Sequence, residues 1–221
     1  MAAPTGYIPA VQDDKDVVRK LLRRAGKTYA QEAGIRLRNQ PMPLFQLLVL
    51  CMLASKPIDA GIAAQAAREL FKAGLRTPHK VLDADRRSMI EAFGRAHYRR
   101  YDESSADRLI EIAEVVQQEY RGDLRLLAER SERHVEMATK LLKDFKGIGD
   151  TGAEIFLREV QDVWPWARPT FDDRAVDAAR DLGLPDDATE LGALSLGRNA
   201  ELAAALVRYS FDADVRERLA D

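Results

Sequence analysis

The stretch Leu141-Leu-Lys-Asp-Phe-Lys-Gly-Ile-Gly-Asp-Thr-Gly-Ala-Glu-Ile-Phe-Leu157 places two glycines, Gly147 and Gly149, between two segments with helical periodicity. Glycine tolerates backbone dihedrals that other residues resist, so the pattern predicts one helix that ends before the glycines and another that begins directly after them. Ile148 is the apolar residue expected to pin the turn. The stretch therefore predicts a helix-hairpin-helix.

A turn of this kind can bind phosphate. Its glycines expose successive N–H groups at the start of the second helix, where the helix dipole favours an anion. The predicted phosphate contacts are Lys146, Gly147, Ile148, Gly149 and Thr151. An ordinary glycine stop followed by a new helix explains the same residues, so the turn alone does not decide the function.

Helical periodicity extends over most of the chain. From Ser104 to Tyr120, apolar residues recur every three or four positions with charged residues between them, as in an amphipathic helix. No stretch shows the two-residue alternation of a β-strand. The same helical spacing marks Val17 to Leu22, Leu44 to Leu53, Ile62 to Phe71, Arg86 to Phe93, Val135 to Phe145, Thr151 to Val160, Arg174 to Leu182 and Leu202 to Tyr209. We predict an all-α protein of roughly ten helices.

Charge and cysteine content narrow the function classes. The chain has 221 residues, with 34 Lys and Arg against 36 Asp and Glu, and a formal net charge of −2. Its single cysteine, Cys51, excludes an internal disulfide framework and a four-cysteine zinc or iron–sulfur site. A reducing, cytoplasmic compartment is the default expectation for such a chain.

Neither secretion nor membrane insertion is predicted. Met1 to Asp16 lacks the basic start and apolar run of a secretory signal, and the longest apolar stretch, Leu47 to Ala54, is far shorter than the ~20 residues that span a bilayer. The near-neutral total gives no sign of a nucleic-acid partner. However, Lys15 to Arg38 is basic and the region beyond Asp172 is acidic, so the total does not exclude a basic face.

A carboxylate pair follows the predicted hairpin. In Trp164-Pro-Trp-Ala-Arg-Pro-Thr-Phe-Asp-Asp-Arg-Ala175, Asp172 and Asp173 stand at the entrance to the next predicted helix. This order of hairpin, helix, loop and Asp resembles the helix-hairpin-helix DNA glycosylases, the endonuclease III superfamily. Pro43 to Asp59 resembles that family's early helix, in which an apolar run leads into small residues and an Asp.

The resemblance covers most of Pro43 to Tyr209, since Phe93-Gly94 and Ser105-Ala106 resemble the family's next landmark. It implies two helical lobes with a cleft between them. Residues 1–42 together with 160–221 would form the lobe that carries the catalytic Asp, and residues 43–159 the lobe that carries the hairpin. Only the hairpin and the Asp segment are specific to the family.

The resemblance gives Asp172 the role of the family's catalytic aspartate. Breaking an N-glycosidic bond builds positive charge on the sugar, which a nearby carboxylate stabilises while it orients or deprotonates the attacking water. Asp173 is the adjacent alternative, and a plain helix cap is the non-catalytic interpretation of either residue.

Two departures from the family pattern limit the predicted chemistry. Thr151 occupies the position at which bifunctional members carry their Schiff-base lysine, so the resemblance implies a monofunctional glycosylase that uses water as nucleophile. Lys143, Lys146 and Lys56 are the candidates for a relocated lyase lysine. The family's cluster-binding cysteines are missing after Tyr209, so no iron–sulfur cluster is expected.

Extrusion of a nucleotide from duplex DNA usually leaves a gap that inserted side chains fill. Lys56 matches the position at which many family members place a polar intercalating residue. The segment Arg95-Ala-His-Tyr-Arg-Arg-Tyr101 matches the second insertion loop, and an exposed basic turn is its non-functional interpretation. The wedge candidates of this loop, among which the sequence does not choose, are Arg95, His97, Tyr98 and Tyr101.

The sequence thus predicts a monofunctional DNA glycosylase of base-excision repair, a monomer acting on damaged or mismatched duplex DNA in the cytoplasm near the nucleoid. The alternatives are a non-catalytic helix-hairpin-helix protein that recognises damaged or bent DNA, and a glycosylase with weak lyase activity. No cofactor and no side-chain metal site are expected. The resemblance implies only a structural K⁺ or Na⁺ at the backbone of Gly147 and Gly149. The sequence does not name the excised base.

Overall fold

The computed structural model describes residues 13–220, and this part of the chain folds into α-helices without a β-strand. The prediction of an all-α protein is therefore confirmed. The predicted lack of a secretory signal falls almost entirely on residues outside the described range. No helix within that range is both long and apolar enough to cross a membrane.

The nine segments with helical periodicity all lie in helices, to within two residues at their ends. Sequence periodicity missed five shorter helices, because a helix of one or two turns shows too few repeats. The α-helices are α1 Asp14–Ala25, α2 Tyr29–Glu32, α3 Pro41–Ala54, α4 Ala60–Lys72, α5 Pro78–Leu82, α6 Arg86–Arg95, α7 Asp102–Glu119, α8 Arg125–Arg130, α9 Val135–Lys143, α10 Asp150–Val160, α11 Asp173–Asp181, α12 Ala188–Leu194, α13 Asn199–Phe211 and α14 Ala213–Ala220.

Helix α3 lies at the centre of the first hydrophobic core, which we define as the buried residues between Tyr29 and Ala167. Every side chain from Pro43 to Leu53 is buried, so this helix has no solvent-facing side along that length. A helix that is apolar on all sides must be covered on all sides. Helices α4, α7 and α10 provide part of this cover.

The second hydrophobic core joins the two ends of the described chain. Its buried residues come from Val17 to Ala25 of α1 and from the segment between Ala175 and Val215. Helix α13 packs against both α1 and α11, and it also contacts α10 of the first core. Helices α10 and α11 are therefore tied to different cores, with the loop before Asp172 between them.

Candidate functional site

The glycine-rich turn joins α9 to α10. Gly147 has φ +94°, a left-handed conformation that residues with a side chain rarely adopt. A Cβ atom added there would lie 2.8 Å from Cδ of Arg108 and 3.4 Å from Cγ of Met52. The turn therefore needs glycine at this position for both its backbone conformation and its close contact with α7.

Ile148 lies inside the turn and is only 4% exposed, while its N–H donates to the carbonyl of Phe145 at 2.9 Å. Gly149 is the N-cap of α10, and no side chain caps this helix end. Thr151, in the first turn of α10, is exposed. The start of α10 therefore faces solvent with N–H groups that no capping side chain satisfies.

Two lysines flank the turn, and both form ion pairs on the surface. Lys146 pairs with Glu111 of α7, and Lys143 pairs with Asp150 at the start of α10. Both lysine side chains are substantially exposed. Because exposed ion pairs of this kind are weak, either lysine can exchange its carboxylate for another anion.

Helix α10 approaches the end of α3 closely. A Cβ atom added to Gly152 would lie 2.5 Å from Oγ of Ser55, whose hydroxyl donates to the carbonyl of Cys51 at 2.6 Å. Lys56, the predicted intercalating residue, directly follows Ser55 and is half-buried. The turn that carries Lys56 thus lies beside the first turns of α10.

The loop between α6 and α7 is anchored to the same end of α3. Tyr98 is fully buried, and its hydroxyl donates to the carbonyl of Leu53 at 3.2 Å. Burial raises the pKa of Tyr98 to about 12. Tyr98 is therefore an anchor within the first core, and it is not on the surface where a wedge residue must be.

The other candidates of this loop lie nearer the surface. His97 is exposed with φ +58°, and Tyr101 is half-buried with the Arg100 guanidinium 5.3 Å from its ring centroid. Arg95 is the last residue of α6, and its side chain pairs with Glu69 at 3.2 Å. Only His97 and Tyr101 thus combine partial or full exposure with an aromatic ring.

Asp172 is the N-cap of α11 and is largely enclosed. Its Oδ1 accepts the N–H of Ala175 at 2.9 Å, and its Oδ2 accepts from Nη1 of Arg158 on α10. The side chains of Asp172 and Arg158 are 8% and 3% exposed. The aspartate therefore caps a helix and forms a buried ion pair at the same time.

Only one of the three guanidinium nitrogens of Arg158 has a hydrogen-bond partner among the described residues. Its Nη1 pairs with Asp172, but its Nε and Nη2 are buried without a hydrogen-bond partner among the described residues. The guanidinium carbon lies 5.4 Å from the ring centroid of Tyr29. Burial alone would lower the pKa of Arg158, but the negative charges of Asp172 and Glu159 raise it. Sequence reasoning missed this partner, which is fourteen positions away.

Two further buried side chains fix the surroundings of Asp172. Gln161 donates to the carbonyl of Thr170 and accepts its N–H, each at 2.9 Å, which holds the chain just before Asp172. Glu159 accepts the N–H groups of Tyr29 and Ala30 at 3.2 and 2.8 Å. Burial raises the pKa of Glu159. The C-terminal half of α10 therefore organises both neighbouring segments.

Glu154 is a further acidic residue on the helix that carries Arg158. It is exposed and lies on α10 four residues before Arg158, so both side chains project from the same face of the helix. Partial burial, followed by the charges of Asp172 and Asp173, raises the pKa of Glu154. Sequence reasoning did not select this residue.

The comparisons with known proteins give no further guidance. No protein-family model matches the chain, and neither a curated protein nor a solved structure shows significant similarity to it. The family resemblance thus depends on the sequence pattern alone. Within residues 13–220, no group of three or more His, Cys, Asp or Glu side chains is arranged to hold a metal ion.

Proposed function

We propose that this chain is a monofunctional DNA glycosylase with a helix-hairpin-helix. The observation that carries the proposal is the convergence of three predicted segments on the C-terminal end of α3. The glycine turn contacts Met52, α10 contacts Ser55, and the loop of Tyr98 is bonded to Leu53. The loop of Tyr98 is far in sequence from the glycine turn and α10, which are adjacent to each other, and their convergence fits a single surface that binds one stretch of duplex DNA.

In this proposal the glycine turn binds a phosphate. Gly147 keeps the turn tight, the N–H groups at the uncapped start of α10 point at the anion, and Lys146 adds positive charge. Lys146 would leave Glu111 to do so. Backbone carbonyls of the same turn are the proposed position of a K⁺ or Na⁺ ion.

The flipped nucleotide would occupy a cleft between the lobes built on the two cores. Lys56 would probe the duplex from the turn after α3, and His97 or Tyr101 would fill the vacated space. Asp172 would face the sugar from the start of α11 and stabilise the positive charge that develops as the N-glycosidic bond breaks. Thr151 cannot form a Schiff base, so water is the nucleophile.

The buried ion pair also favours a second candidate function, a protein that binds damaged or bent DNA without cutting it. Both oxygens of Asp172 are already hydrogen-bonded, and the side chain is only 8% exposed, as expected of a purely structural residue. In that case the hairpin and the loop would recognise DNA, and Asp172 would only hold α10 and α11 together.

A screen of modified duplexes separates the two functions. The chain is incubated with duplexes that carry uracil, mismatched thymine, alkylated purines, oxidised bases or an abasic site, and both retention of DNA and formation of abasic product are measured. A glycosylase releases base from at least one duplex and leaves an intact strand that alkali cleaves. A binder retains DNA and releases no base. Covalent trapping by borohydride would show lyase chemistry and contradict the monofunctional assignment.

A further inference from the structure

Asp172 leaves little room for a water molecule at its carboxylate. Its Oδ1 accepts the N–H of Ala175, its Oδ2 accepts from Nη1 of Arg158, and the side chain is only 8% exposed. Loss of the bond to Arg158 would be unfavourable, because Nε and Nη2 of that guanidinium already lack partners among the described residues. Asp172 can therefore supply negative charge to the sugar, but a more accessible group must handle the proton of the attacking water.

Glu154 is the carboxylate placed for that task. It lies one helical turn before Arg158 on the same face of α10, and Arg158 in turn holds Asp172. The ion pair of Arg158 is formed with Asp172, which leaves the exposed Glu154 carboxylate accessible to water. A solvent-accessible carboxylate therefore lies one turn of α10 away from the guanidinium that holds the enclosed carboxylate.

The geometry points to Glu154 as the group that exchanges a proton with water during base release, while Asp172 stabilises the charge on the sugar; this inference rests on the proposed function. The water oxygen forms a bond to C1′ of the sugar while the bond between C1′ and the base nitrogen breaks. The electron pair of the broken bond stays on the base nitrogen. One proton of the water moves to the Glu154 carboxylate, which returns it to the departing base. The net reaction consumes one water.

The electrostatic environment supports this division of roles. Partial burial and the negative charges of Asp172, Asp173 and Asp150 raise the pKa of Glu154, and the positive charge of Arg158 opposes them. A carboxyl group with a raised pKa accepts and returns a proton more readily near neutral pH. Two carboxyl groups in different environments commonly divide the charge-stabilising and proton-transfer roles in this way.

The test compares Glu154→Gln, Glu154→Asp and the control Glu136→Gln, which alters an exposed glutamate on α9. Single-turnover base release is measured on the duplex that the wild type cleaves best, together with duplex affinity and the thermal midpoint. We expect Glu154→Gln to slow release about 100-fold or more while affinity changes only a few-fold. Glu154→Asp should recover part of the rate, and Glu136→Gln should match the wild type.

The pH dependence separates a proton-transfer role from a structural one. The wild-type rate should fall on the acid side as Glu154 becomes protonated, and this acid limb should be absent from Glu154→Gln. Asp173→Asn removes one of the charges that raise the pKa of Glu154, so it should move the limb to lower pH. A Glu154→Gln rate within about three-fold of wild type would overturn the role of Glu154 alone, because effects that small are below those of general acid–base catalysis. Absence of base release by the wild type would overturn the proposed function as well.

Discussion

The two ends of α10 differ in the exposure and bonding of their charged side chains. At the N-terminal end, Gly149 provides no side-chain cap, Thr151 is exposed, and Asp150 pairs with Lys143 on the surface. At the C-terminal end, Arg158 and Glu159 are both 2% exposed and bond to two different parts of the chain. One end is therefore open to an anion, and the other holds neighbouring segments in place.

The difference shows what each end can contribute to function. An exposed ion pair is weak and is readily exchanged for a contact with another anion, whereas loss of one partner of a buried pair costs about 3–5 kcal/mol. The N-terminal end is thus suited to binding that must be reversible. The C-terminal end is suited to fixing Asp172 in one position.

The largest effect is expected for Asp172→Asn. Removal of the carboxylate charge should lower the single-turnover rate of base release by about 100- to 1000-fold, because the positive charge on the sugar loses its stabilising partner. Duplex affinity should stay within a few-fold of wild type. The assay is abasic-site formation on the best duplex found in the screen.

A stability control is needed, because Asp172→Asn also leaves Arg158 unpaired. Leu206→Ala in the second core serves this purpose, since it creates a cavity at a fully buried position and costs about 2–5 kcal/mol. This variant should keep near-wild-type base release at temperatures where it is folded. If both variants lose activity equally, the loss follows stability and Asp172 has no special role.

Glu159→Ala should mainly affect stability. The substitution removes the acceptor of two buried N–H groups, those of Tyr29 and Ala30, and each unsatisfied buried donor costs about 1–3 kcal/mol. We therefore expect the free energy of unfolding in urea to fall by about 3 kcal/mol. Glu136→Ala, at an exposed position, should change it by less than about 0.5 kcal/mol. A small effect of Glu159→Ala on the free energy of unfolding would contradict the statement that this end of α10 holds neighbouring segments in place.

The glycine turn can be tested with a matched pair of glycines. Gly147→Ala introduces a Cβ into a left-handed residue and against Arg108, so we expect a loss of at least about 1 kcal/mol in unfolding free energy and weaker duplex binding. Gly94→Ala is the control, because Gly94 lies within α6 with open space around its Cα. That variant should be as stable as wild type or more stable. Equal behaviour of the two variants would contradict the requirement for glycine in the turn.

The smallest effect is expected for Lys146→Ala. Because Lys146 is exposed and contributes one contact to phosphate in the proposal, its loss should weaken duplex binding a few-fold for every sequence. The slope of log affinity against log salt should fall by about 1. Fluorescence anisotropy at several salt concentrations measures both. Lys80→Ala, at an exposed position on α5, should leave the slope unchanged. An unchanged slope for Lys146→Ala would show that Lys146 does not contact a phosphate.

The sequence predicted the nine longer helices and the position of the glycine turn, because their signals are local. Glycine spacing around Ile148 and the apolar periodicity of α10 depend on residues a few positions apart. The environment of Asp172 could not be predicted in this way, since its ion pair with Arg158 joins two helices and depends on burial. Tyr98 shows the same limit. Its neighbours Arg99 and Arg100 suggested a surface residue, but its ring lies in the first core.

The role of Asp172 is tested most directly by base release in the charge-neutral double variant Arg158→Met with Asp172→Asn. Replacing both partners of a buried ion pair by uncharged residues is often neutral or stabilising, so this variant should fold while it lacks the carboxylate. On a duplex from which the wild type releases base, we expect a folded protein that binds the duplex and releases base at least about 100-fold more slowly. Wild-type rates in the folded double variant, or no base release by the wild type from any duplex, would contradict the catalytic role of Asp172.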